Sequence, residues 1–181
     1  MTNAIKVADY LRTKSVYGEM HLQKLLYYSQ AWSLAWTGKP LFSDEIEAWV
    51  MGPVVRQVWA AGKYSDYAVP TDGEDLTPAQ RALIDAVYAF YGRDGGRALS
   101  VRTHGEDPWV EARGDTPPNV QSTKPVSQST MRRFFSRMAV EGGDMPVAPT
   151  IGAAPADERV LAAGARQAAR WRGALDALAL R

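Results

Sequence analysis

The sequence predicts a mainly α-helical fold: a compact helical domain with a short strand or β-arm, then a linker and a C-terminal helix. Three observations carry this reading. Leu22, Leu25, Leu26, Ser29, Trp32 and Trp36 form a stripe at helical spacing, and Tyr27, Tyr28, Ala31 and Leu34 cover much of the remaining circumference. A helix apolar on most sides is the one that others pack around, so 20–36 is expected at the centre. Thr77-Pro-Ala-Gln80 is a helix start in which Thr77 caps, Pro78 follows and Gln80 can reach back. Only 46–51, Ile-Glu-Ala-Trp-Val-Met, is rich in strand formers, and it suits either a strand or an extended arm.

The remaining elements follow in order. Ala4, Val7, Ala8 and Leu11 predict a helix over 3–13, and Gly38 is placed to stop the central helix. Gly52-Pro53 is expected to open a helix running to about Ala61, with Pro53 in its first turn. Residues 62–76 are polar and turn-rich yet carry Tyr64 and Tyr67. From Thr77, Leu83, Ile84, Val87, Tyr88 and Tyr91 face inward until Gly92, Gly95 and Gly96 break the helix. A short helix over 97–103 leads to another over 108–113, whose cap is read as Asp107 and whose first residue is Pro108. Met131, Phe134, Phe135 and Met138 predict a further helix starting after Ser127 or Ser129.

Composition changes after Met138. The domain is therefore read as 1–140, a Gly/Pro/Ala-rich linker as 141–155, and an amphipathic helix as 156–181. In that last segment Leu161, Gly164, Ala168, Trp171, Leu175 and Leu178 make a narrow seam that suits docking.

Composition narrows the function classes. The 181 residues carry 21 basic and 20 acidic side chains, a net charge of +1, which gives no global field for nucleic acid or anionic membranes. With no cysteine, disulfides, cysteine nucleophiles and thiolate metal sites are excluded. No leader-like apolar stretch opens the sequence, and no run reaches the ~20 apolar residues of a membrane span. A cytoplasmic protein is expected.

No motif carries catalysis, and no cofactor or metal is expected. His21 and His104 stand outside any metal-ligand spacing. His104 and Glu106 read as decorating the loop before Pro108, and Asp44, Glu45 and Glu47 as a solvated edge. Gly92-Arg-Asp-Gly-Gly96 lacks the lysine and spacing of a phosphate loop. Lys124, Arg132, Arg133 and Arg137 make a basic face near the last core helix, for which solvation is the default.

Four blocks remain: Lys24-Leu-Leu-Tyr-Tyr-x-Gln-Ala-Trp32, Gly38-x-Pro-Leu-Phe42, Glu47-Ala-Trp-x-x-Gly-Pro-Val54 and Leu99-x-x-x-Thr-His-x-x-x-Pro-Trp-x-x-Ala-Arg113. In this order and at these spacings they resemble the Panacea antitoxin domain, the family of SocA-type antitoxins and GepA-like phage-associated proteins. The resemblance covers about 3–139. It implies a mostly helical domain that neutralises a cognate toxin by direct binding, and, in SocA-type members, an adaptor that delivers the toxin to the ClpXP protease.

The residues and the resemblance lead to one expectation: an antitoxin, not an enzyme, with a toxin protein as its partner. The partner surface is expected to include Trp49, Met51, Tyr64 and Tyr67, aromatic or bulky residues in edge and turn-rich segments, and Trp171, Leu175 and Leu178 on the C-terminal seam. Trp109 is expected to be architectural. The alternative is a phage or prophage regulator that contacts DNA through Lys124, Arg132, Arg133 and Arg137.

Overall fold

Helix α2 (Gly18–Thr37) is the element around which the others are arranged. In the computed structural model, which describes residues 2–64 and 74–150, its residues from His21 through Leu34 are all buried. Tyr67, Trp171, Leu175 and Leu178 lie outside the described residues. The other elements are α1 (Ala4–Arg12), β1 (Glu47–Trp49), β2 (Gly52–Val54), α3 (Arg56–Lys63), α4 (Pro78–Tyr91), α5 (Gly96–His104), α6 (Asp107–Arg113) and α7 (Gln128–Glu141). They lie within one unit, Met1–Pro149, and the fold is mainly α, as the periodicities predict.

The helix ends follow local chemistry. Asn3 and Ser127 cap α1 and α7 through their side chains, and Thr77 with Gln80 forms the complete capping box on α4. Gly38 closes α2 in the left-handed conformation, φ 71°, with its N–H on the Leu34 carbonyl.

Aromatic rings from three helices form the centre. Tyr28 stacks on Tyr91 at 3.8 Å, and Trp32 donates its indole N–H to the Tyr91 hydroxyl at 3.1 Å. Phe135 of α7 meets Tyr27, Tyr28 and Trp32 edge-on. Gln30, also buried, accepts from Leu41 N and Phe42 N and donates to the Phe42 carbonyl, which pins the Pro40-Leu-Phe42 segment to α2.

Two boundaries differ from expectation. Gly52-Pro53 does not open a helix. It forms β2, antiparallel to β1 with Trp49 opposite Gly52, and α3 starts only at Arg56. The reason is tertiary: Gly52 sits at φ 98°, and a Cβ there would lie 2.7 Å from both Lys24 Cε and Thr103 Oγ1. A side-chain-free residue lets the hairpin close onto the body, and Pro53 lends only its carbonyl, so its missing donor costs nothing. The second correction concerns α6. Its N-cap position is Glu106, and Asp107 is already inside the first turn, where it pairs with Arg137 at 3.0 Å. Carboxylate in the first turn complements the helix dipole without capping it.

After α7 the chain touches the same body: Asp144 receives Arg102, Met145 packs against the core and Pro146 is buried.

Candidate partner-binding face

The hairpin β1–β2 is too short to hold itself, and the helical body grips its backbone from several directions. Lys24 Nζ donates to the Pro53 carbonyl at 3.0 Å, and Gln23 Oε1 accepts from Val55 N at 2.8 Å. Ser100 Oγ donates to the Met51 carbonyl at 2.7 Å, Trp109 Nε1 to the Trp49 carbonyl at 3.0 Å, and Arg113 to the Ala48 carbonyl at 3.1 Å. Along the edge of β1 away from β2, Ala48 N donates to the Lys124 carbonyl and Val126 N to the Ile46 carbonyl. Three of the gripping side chains, Lys24, Trp109 and Arg113, belong to the sequence blocks quoted above, as does the hairpin they hold.

Burial gives the clamp its electrostatics. Lys24 is 1% exposed and, among the described residues, has no ion-pair partner within reach; desolvation pulls its ammonium down to about 7. Glu106, read from sequence as decorating the loop before Pro108, is 4% exposed and accepts from the hydroxyls of Tyr27 at 2.8 Å and Tyr28 at 3.0 Å. Its burial raises the carboxyl to about 7, against the pull of those donors and of Arg102. Both tyrosines are in turn pushed upward by desolvation first and by Glu106 second. His104 stacks on Trp109 at 4.2 Å, and burial lowers it below the ordinary imidazole value.

One sequence signal pointed to Lys24: a cation in the middle of a helix apolar on nearly every side. Glu106 gave none, because its burial depends on two tyrosines nearly eighty positions away.

The clamp fixes an outward face. Glu47 and Trp49 alternate with buried Ala48 and so share the outer side of β1, where the Trp49 indole donates to Glu47 at 2.6 Å. Trp49 meets Trp59 of α3 edge-on at 5.1 Å, and Trp59 meets Tyr64 at 5.9 Å. The structure thus joins Trp49 and Tyr64 through Trp59. Tyr64 is 50% exposed, and Met51, at the hairpin tip, is 49% exposed. A groove of about 630 Å³ runs beside them, between the acidic stretch Asp44–Glu47 and Trp59–Tyr64 of α3 and its end.

The basic face is largely spent internally. Arg133 pairs with Glu111 at 2.7 Å, Arg137 with Asp107, and Lys124 Nζ donates to the Arg113 carbonyl.

Residues 22–110 match the model of a family described as antitoxin SocA-like, Panacea domain. This stretch of the chain is a Panacea domain. No curated protein and no solved structure matches the chain. The Panacea match takes in α2 from Leu22 onward, the hairpin, and Ser100 and Trp109 of the clamp; α1, α7 and Arg113 flank it. Among the described residues, no helix is long and apolar enough to cross a membrane.

Proposed function

We propose that this Panacea domain neutralises a cognate toxin protein by binding it directly through the outer face of the hairpin and α3. The observation that carries the reading is the clamp. Backbone that is fixed before binding loses little freedom on association, so more of the contact energy appears as affinity. What the clamp presents is Met51 at the tip and the Trp49–Trp59–Tyr64 row beside it, and large aromatic residues are enriched among the anchors of protein interfaces. Capture by contact is the neutralising step in this reading. Delivery to ClpXP is a second step, implied by family resemblance and separable by experiment. Trp171, Leu175 and Leu178 are proposed as an additional toxin contact.

The test is binding of the toxin encoded beside this gene to full-length Met51→Ala/Tyr64→Ala. We expect an unchanged melting temperature and at least tenfold weaker binding, about 1.4 kcal/mol. Wild-type affinity in that variant would remove this face from the interface. Toxin half-life with and without ClpX reads the degradative step independently.

A further inference from the structure

We infer that the groove between Asp44–Glu47 and α3 receives a cationic polypeptide segment of the toxin, an arginine- or lysine-bearing stretch rather than an apolar helix or a nucleic acid. The inference rests on the capture reading above and specifies the partner's chemistry.

Charge is the first argument. Asp44, Glu45 and Glu47 line the groove against Arg56, so three carboxylates face one guanidinium. None of the three carboxylates has an ion-pair partner among the described residues. Asp44 accepts from the Ala4 backbone N–H at 2.7 Å, and Glu47 from the Trp49 indole. Elsewhere on the molecule, Asp9, Asp75, Asp85, Asp107, Glu111 and Asp144 each meet a cation. Among the described residues, the groove gathers three carboxylates that no ion pair neutralises, and no three acidic or histidine side chains are gathered to hold a metal ion.

The opposite wall is the second, independent argument. It is aromatic, and its chemistry toward cations is already visible: the chain's own Lys63 seats its ammonium over the Trp59 ring at 5.3 Å. Carboxylates facing aromatic rings across a groove suit a guanidinium, which can hydrogen-bond in its plane and stack on its face. The same carboxylates repel phosphate, so a nucleic acid is disfavoured here. An apolar helix would have to desolvate them without return.

The experiment uses the full chain and two probes, a nona-arginine and a nona-glutamate peptide, read by tryptophan fluorescence and calorimetry. Glu45→Lys is the variant, because Glu45 is exposed and, among the described residues, supports no other by hydrogen bond. The wild type should bind nona-arginine at least tenfold more tightly than Glu45→Lys does, and should not bind nona-glutamate. Equal binding of nona-arginine by both proteins, or preference for nona-glutamate, overturns the inference. The neighbouring toxin then separates the two readings. If Met51→Ala/Tyr64→Ala weakens toxin binding while Glu45→Lys and added salt do not, capture at this face stands and the cationic segment falls. If none of them weakens it, the face itself falls.

Discussion

The indole N–H of Trp109 donates to the carbonyl of Trp49 at 3.0 Å, so one signature tryptophan holds the strand that carries the other. Trp109 is half-buried, lies against His104, and has the Arg113 guanidinium over its ring at 5.1 Å. Trp109→Ala should therefore cost about 3–5 kcal/mol, as other large aromatic truncations do. Trp109→Phe, which keeps a ring and loses the hydrogen bond, should cost about 1–2 kcal/mol. Urea melts of both variants check the order; a Trp109→Ala protein as stable as wild type would contradict it.

Glu106 is the acceptor for two buried hydroxyls, so its removal strands both. Glu106→Ala should destabilise by roughly 3–5 kcal/mol, from two unsatisfied donors and a cavity. The Tyr27→Phe/Tyr28→Phe/Glu106→Leu triple variant should recover much of that loss, because replacing a whole polar network by apolar groups is far cheaper than breaking it. Failure of the triple variant to recover stability would show that the network does more than satisfy itself.

Lys24 sets the alkaline pH dependence. Its folded-state value, about 7, lies below the ordinary 10.5, so between these values the unfolded chain binds more protons than the folded one. Stability then rises with pH, by an amount on the order of 2 kcal/mol from pH 7 to 9.5. Denaturation at those two pH values should show the rise in wild type and its loss in Lys24→Met. Glu106 acts with the opposite sign on the acidic side. Its carboxyl is raised from 4.5 to about 7, so the folded state takes up the proton first and stability falls as pH rises between those values. His21 and His104, both lowered chiefly by burial, oppose that acid-side gain.

A chain ending at Pro149 should fold. The helices of the Met1–Pro149 unit bury their apolar faces against one another among the described residues, and Met145 and Pro146 are retained. We expect a melting temperature within a few degrees of full length and toxin binding at least tenfold weaker. Unchanged neutralisation would remove Trp171, Leu175 and Leu178 from the interface.

Much of this architecture could be read from periodicity. The α2 stripe, the Thr77 box and the Phe134–Met138 spacing are local patterns, and local patterns survive into the fold. What could not be read is what tertiary contact decides. Gly52-Pro53 has the look of a helix start, and only the approach of Lys24 and Thr103 makes it a strand. Asp107 and Glu106 are adjacent acids of similar propensity, and the two tyrosines of α2 choose which one is buried. At the proposed partner face, Trp49, Met51 and Tyr64 were legible as bulky residues in edge or turn-rich segments. Trp59 carries no such signal, because an aromatic residue on a short helix is more often interior.

Both margins of the hairpin are closed. The edge of β1 away from β2 is bonded to 124–126, with Glu47 bridged to Pro125. Along β2, Pro53 has no N–H, its carbonyl is taken by Lys24, and Val55 N is taken by Gln23. A visiting chain finds little main-chain valence there, so recognition by strand addition is denied. What is left to a partner is side-chain lettering on a fixed page. Residues such as Glu45, Met51 and Tyr64 should be exchangeable without disturbing the backbone that displays them, so under the proposed function a change of partner needs surface substitution alone.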